Sequence, residues 1–213
     1  FNLHNAFDDD IEMSEDFILQ TSSYGIIGLQ YIYSWDPQMF DLYPGQSAVL
    51  QWSTYYQHIL GTNAALDYLD DVKGSIEDKA YVAAQAYALR AFFYFNLVNL
   101  FGEPYNYNKD ADGVPLKLTS SLSSSSEKRE TVAKVYEQIV KDLNAAEENF
   151  LALSADRQGK VGYRINLPAV QLLHARVCLY MEDMEGAAKY AKKVIDNWGY
   201  ELYDLTSFKK DTT

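Results

Sequence analysis

The chain has 213 residues, with 18 Lys and Arg against 30 Asp and Glu, a formal charge of −12 and 48% hydrophobic residues. A chain this long buries about 70% of its unfolded surface; its apolar share argues against disorder, and its charge against attraction to nucleic acid or an anionic membrane. The single cysteine, Cys178, excludes an intrachain disulfide or a multi-cysteine metal site, and there is no apolar run long enough to span a bilayer.

Helical periodicity dominates from the start. Ser14 can cap a helix over residues 14–33, with Glu15 and Asp16 at its positive end and Phe17, Ile18, Ile26, Ile27 and Leu29 as its apolar positions. Asp36 and Pro37 open a loop running to about residue 45, and a second helix is predicted over 47–72, with Gly74 as its stop. Ser75, with Asp78 three residues on, resembles a capping box for a third helix through Phe101. That helix is Ala-rich in its first half and bulky at Phe92, Phe93, Tyr94 and Phe95. Gly102 ends it. Residues 103–130 then form a loop well beyond about fifteen residues, a length that in a domain is functional or mobile. Thr131 caps a fourth helix through Leu151, with Val132, Val135, Tyr136, Ile139, Val140 and Leu143 as its stripe. A fifth helix is predicted over 167–180 and a sixth over 184–197, while extended signals are short, at 114–118 and 200–203. The fold class is all-α.

The last two helices resemble a degenerate tetratricopeptide repeat. Ala175, Cys178, Ala187 and Ala191 fall on its small packing positions, and Gln171 and Glu182 replace the usual Trp and turn Gly. Charge is uneven along the chain: eleven acids precede Lys73, the first base, leaving nineteen acids to balance eighteen bases after it. The acidic third also carries Tyr24, Tyr31, Tyr33, Trp35, Phe40, Tyr43, Trp52, Tyr55 and Tyr56.

Four segments in order carry a family resemblance. Trp52, Tyr56, Ile59 and Asn63 form W-x3-Y-x2-I-x3-N; ALRAFFYFNLVNLFGEPYNYNKDADGVPL covers residues 88–116; TVAKVYEQIVKDLNAAE covers 131–147; and RINLPAVQLLHARVCLYMEDMEGAAKYAKKVID covers 164–196. Together they resemble the SusD/RagB nutrient-binding outer-membrane lipoproteins. The resemblance implies that residues 1–213 are the N-terminal helical region of a longer protein, whose C-terminal half and lipid-bearing cysteine lie elsewhere. Phe1 opens the chain without a basic, apolar and small-residue leader, as a trimmed or processed chain would. The resemblance further implies a surface-exposed protein, lipid-anchored to the outer membrane, that binds oligosaccharides and hands them to a SusC-like TonB-dependent transporter.

No catalytic pattern is present. His4, His58 and His174 lack metal-ligand spacing and read as structural, and there is no nucleophile elbow, P-loop or H-E-x-x-H. Glu147 and Glu148 fall on what the pattern makes a solvated helix face, without the environments that split an acid from a base. Cys178 reads as a core thiol. Asn108, Asp110, Asp112 and Gly113 match the start of a calcium loop, but Thr119 stands where its bidentate Glu belongs, so the segment reads as a turn. Arg90, set among Ala and aromatic residues, must pair with a loop acid or backbone carbonyls, and Asn63 is expected to cap a helix or bond a neighbouring segment. No enzyme, metal or cofactor is expected.

The ligand candidates are Tyr31, Tyr33, Trp35, Asp36, Gln38 and Tyr43. Tyr and Trp offer flat apolar faces with polar tips that suit the C–H faces of pyranose sugars, Asp36 and Gln38 can bond hydroxyls, and loops on a rigid scaffold commonly carry binding groups. Phe40 reads as core. The acidic setting favours neutral glycans. A tetratricopeptide-type scaffold recognising a protein partner is the alternative.

Overall fold

The computed structural model describes residues 31, 34, 36–38, 47–122 and 127–202, and among them the only regular elements are helices. These are α1 (Ser47–Asp67), α2 (Ile76–Phe101), α3 (Val132–Leu151), the single turn α4 (Ala155–Gln158), α5 (Leu167–Tyr180) and α6 (Met184–Trp198). The chain divides into two units, residues 1–56 and 57–213, with the boundary inside α1. Of the helix expected over 14–33, only Tyr31 is a described residue, and it is helical.

The caps are local chemistry. The Ser75 hydroxyl accepts from the Asp78 amide at 3.0 Å and donates to the Asp78 carboxylate at 2.7 Å, so the first turn of α2 is closed from both sides. Thr131, Asn166 and Asp183 accept from the amides of Lys134, Ala169 and Gly186 at the starts of α3, α5 and α6. Helix α1 ends at Asp67 rather than near Val72, and residues 68–71 continue as turns. Carboxylates at 67, 70 and 71 gather at the negative end of the helix dipole, which opposes a further helical turn. Gly102 ends α2 by close approach: a Cβ there would meet the Val98 carbonyl oxygen at 2.8 Å.

Packing runs from α2 through α3 to α5 and α6. The buried Ala83, Ala84, Ala86, Ala88 and Ala91 let α2 approach its neighbours, and the buried Tyr94, Phe95, Leu97 and Val98 fill its second half. Phe95 meets Tyr136 edge-on at 6.2 Å, and Tyr81 meets Phe150 edge-on at 6.3 Å. At the other end of the unit, the His174 ring lies flat on Tyr190 at 3.7 Å.

The central feature is an ion pair. Arg90 on α2 donates from Nε and Nη2 to both oxygens of Asp142 on α3, at 2.8 and 2.7 Å, and from Nη1 to Asn63 Oδ1 on α1 at 2.9 Å. Its acid therefore comes from a helix, not from the loop, because α2 and α3 pack along their length and bring the two positions face to face. Burial works to lower the Arg90 pKa, but the Asp142 hydrogen bonds and charge outweigh it and hold the guanidinium above its ordinary value. Asn63 turns its amide outward to the carbonyls of Lys117 and Thr119, at 2.8 and 3.2 Å. The Tyr94 hydroxyl donates to the Lys117 carbonyl at 2.8 Å and accepts from the Lys117 amide at 2.7 Å. Asp67 accepts from the amide and hydroxyl of Ser120. The described part of the long loop is thus a strap tied to α1 and α2, and near Arg129 it is tied to α3 by an isolated bridge between Asp112 and Thr131.

The α5–α6 turn shows how the repeat manages without its usual residues. Glu182 adopts φ 57° where glycine is usual. Gln171, in the position of the missing Trp, accepts from the Trp198 indole at 2.9 Å and donates to Glu147 at 2.9 Å. The indole has moved to the partner helix, and Gly159 leaves it space, since a Cβ there would collide with the ring.

Two outcomes are expected in chemical and thermal unfolding. Glu182→Gly relieves the left-handed backbone and stabilises by about 1 kcal/mol; a lower midpoint would contradict the strain. Asp142→Ala costs about 3–5 kcal/mol by stranding a buried guanidinium, whereas the double replacement Arg90→Met with Asp142→Leu retains more stability than either single change.

Candidate functional site

The expected aromatic site is only partly within view. Tyr33, Trp35 and Tyr43 lie outside the described residues, while Tyr31, Asp36 and Gln38 lie within them. The Tyr31 carbonyl accepts from the Asp36 amide at 2.9 Å. One Asp36 oxygen accepts from the Gln38 amide at 2.8 Å, which fixes the turn around the exposed Pro37. Asp36 therefore shapes the loop and keeps a second oxygen for other partners. The Gln38 side chain is exposed.

The second unit carries a groove that the sequence did not announce. It lies between α1 and α2, has a volume of about 510 Å³, and is walled by the rings of His58, Tyr81 and Phe93 with Arg164 at its rim. Its floor is formed by small residues, Gly61, Ala65 and Ala86. His58 is exposed and stacks on Phe93 at 5.1 Å, so it is a wall rather than a ligand-bearing cluster. A second depression, of about 240 Å³, shares Tyr81 and Arg164 and adds Arg157 and Lys160. Arg157 is neutralised by Asp78 and Glu77, at 3.0 and 3.5 Å, and lies over the Tyr81 ring at 5.0 Å. Arg164 lies over the Tyr163 ring at 5.7 Å, and its interactions with the Tyr81 and Tyr163 side chains keep it above its ordinary pKa. The signal that could have exposed this groove was Gly61, a glycine in mid-helix.

The remaining titratable groups are bound into the core. Glu147 corrects the expectation of a solvated face: it is 8% exposed and accepts from Lys193 at 2.7 Å and from Gln171. Both Glu147 and Asp142 fall on the flank of α3 turned toward neighbouring helices, where the apolar stripe alone does not show how wide the buried face is. Glu148 is exposed as expected. Cys178 is buried, and its thiol is pushed up first by burial and then by the Asp183 carboxylate. His174 is buried with an Nδ1 that has no hydrogen-bond partner among the described residues, and burial pushes its pKa down to about 4. In the turn at 108–113, the Gly113 amide donates to the Glu130 carbonyl at 2.7 Å, and a Cβ on Gly113 would lie 3.0 Å from the same oxygen. Close approach of two backbones accounts for that glycine. Among the described residues, no three His, Cys, Asp or Glu side chains gather as a metal site.

A family model described as starch-binding, associating with the outer membrane, matches residues 8–179. The chain belongs to the SusD-like family. SusD-like protein P38 of Formosa agariphila is 28% identical over 141 residues, 65% of this chain and 24% of that protein. A SusD superfamily structure from Bacteroides thetaiotaomicron is 34% identical with a TM-score of 0.67, covering 73% of this chain and 34% of the other. A laminarin-binding SusD-like protein is 30% identical with the same TM-score of 0.67, covering 86% of this chain and 37% of the other. A SusD-like carbohydrate-binding protein from Bacteroides vulgatus, 22% identical, shares the fold at a TM-score of 0.73 over 95% of this chain and 45% of its own. The SusD-like chain thus spans between a quarter and a half of the length of these relatives. The all-α reading agrees with both the helices and these neighbours.

The environment of His174 has a measurable consequence. Unfolded, it takes up a proton near 6.5, but folded only near 4, so stability present above pH 6.5 is lost as pH falls toward 4. His174→Phe is expected to flatten that acid limb in thermal melts between pH 7 and 4. An unchanged limb would show that His174 protonates freely in the folded chain.

Proposed function

We propose that this chain is the N-terminal helical region of a longer SusD-like protein that binds glycans at the cell surface without chemistry. In this reading the whole protein is anchored to the outer membrane through a lipid and passes its ligand to a TonB-dependent transporter. The observation that carries it is the family match over residues 8–179; the laminarin-binding relative supports a glycan as ligand. Among the described residues no helix is long and apolar enough to cross a membrane, which is compatible with attachment by a lipid.

The binding groups in this reading are Trp35, Tyr33, Tyr43 and Tyr31 as a ring platform, with Asp36 and Gln38 supplying hydrogen bonds to sugar hydroxyls. Aromatic stacking of this kind contributes about 0.5–1.5 kcal/mol per ring beyond the area it buries. The acidic first third around the platform repels polyanions and favours neutral glycans. A glycan array followed by calorimetric titration of the full chain tests the reading. Trp35→Ala is expected to weaken a bound neutral oligosaccharide at least tenfold, and an unchanged affinity removes Trp35 from the site.

The tetratricopeptide-type alternative draws on the α5–α6 hairpin, whose outer surface exposes Leu172, Leu179, Met184 and Ile195. A partner captured on that surface and indifferent to Trp35→Ala would favour it.

A further inference from the structure

We infer that the groove between α1 and α2 is a second sugar subsite, one that takes a carboxylate-bearing oligosaccharide with Arg164 on the carboxylate. This rests on the glycan-binding reading above but concerns a separate place in the fold, wholly within residues 57–213.

The first observation is the glycine at its floor. Gly61 sits inside a 21-residue helix, and a Cβ built on it meets nothing within 4 Å. Glycine in a helix interior is unfavourable relative to alanine, and here neither packing nor a special backbone angle calls for it. What the missing side chain provides is depth. Together with Ala65 and Ala86 it leaves an open trough of about 510 Å³, within the range of small-ligand sites. The walls are mainly rings and aliphatic side chains, the lining that an apolar sugar face requires, with Thr62, Gln85 and Arg164 as polar groups among them.

The second observation is charge. Three cations lie around the shared rim, and their states differ. Arg157 is paired with Asp78 and Glu77. Arg164 and Lys160 have no carboxylate partner among the described residues, and both are exposed. Arg164 is nevertheless oriented, because its guanidinium lies over the Tyr163 ring at 5.7 Å, beside the Tyr81 that lines both depressions with it. A planar guanidinium laid against a ring keeps its edge donors free as a fork, the geometry that receives a carboxylate through two parallel bonds. An oriented, unpaired Arg beside an aromatic trough is complementary to a pyranose bearing a carboxylate, with Lys160 adding long-range attraction. The nineteen acids and eighteen bases after residue 72 nearly cancel, so this local positive charge is not part of a general basic surface.

The test is isothermal titration of the full chain with trigalacturonic acid and, as its neutral counterpart, galactotriose. Binding of the acidic trisaccharide in preference to the neutral one is expected, weakened at least tenfold by Arg164→Gln and partly restored by Arg164→Lys. Gly61→Leu should block it while leaving the helical circular dichroism intact, since the added side chain enters open space. Three outcomes would overturn the inference. Failure to bind trigalacturonic acid, while a neutral glycan still binds through Trp35, removes the subsite and leaves the glycan reading standing. Acidic-sugar binding that is lost in Trp35→Ala and indifferent to Arg164→Gln and Gly61→Leu assigns the ligand to the aromatic loop instead. Absence of any glycan binding removes both.

Discussion

A buried guanidinium cannot be left alone, and the helical unit is organised around that constraint. Arg90 is 6% exposed and Asp142 1%. Removing either from water is costly, and the cost is offset only when every donor and acceptor is met. The structure meets them from three helices. Asp142 takes two bonds from Arg90 and one from Gln138, and Asn63 accepts from Nη1, so each guanidinium nitrogen has a partner. Because the partners come from α1, α2 and α3, satisfying one charge fixes how three helices sit together. Apolar packing alone would tolerate small slips between them; this network does not.

The same network decides where the loops go. Asn63 uses its oxygen on Arg90 and its nitrogen on the strap, so the core and the loop are joined through one side chain. Tyr94 makes a second join, and burial pushes its hydroxyl well above the ordinary range, keeping it a neutral donor and acceptor. In the last helix pair, Glu147 plays a parallel part, linking α3 to Gln171 on α5 and Lys193 on α6. Polar groups specify the geometry, and the alanines and aromatics around them supply the burial that holds it.

Much of this was legible in the sequence because the signals were local. Ser75 and Thr131 each cap the helix predicted to follow them, since a cap needs only an oxygen and an amide three residues on. The motif W-x3-Y-x2-I-x3-N also has a local meaning: Trp52 and Tyr56 are one helical turn apart and their rings touch at 5.0 Å, Ile59 is fully buried, and Asn63 meets Arg90. What escaped was non-local. That Glu147 is buried depends on Lys193, 46 residues away, and the acid for Arg90 lies 52 residues away. The groove depends on Arg164 reaching the surface of α1 and α2, which end at Asp67 and Phe101, and a sequence pattern does not record which surfaces meet.

The strap has a consequence for how such a protein could change over time. Lys117 is gripped through its carbonyl and amide, and Thr119 through its carbonyl. These anchors read the backbone, so the exposed side chain of Leu118 can be exchanged without touching them, and proline is excluded at 117 because the Lys117 amide donates to Tyr94. Lineages could therefore redecorate this stretch of surface, altering what it meets, while inheriting the same scaffold beneath it. A tether held largely through the backbone lets outward chemistry diverge at little structural risk.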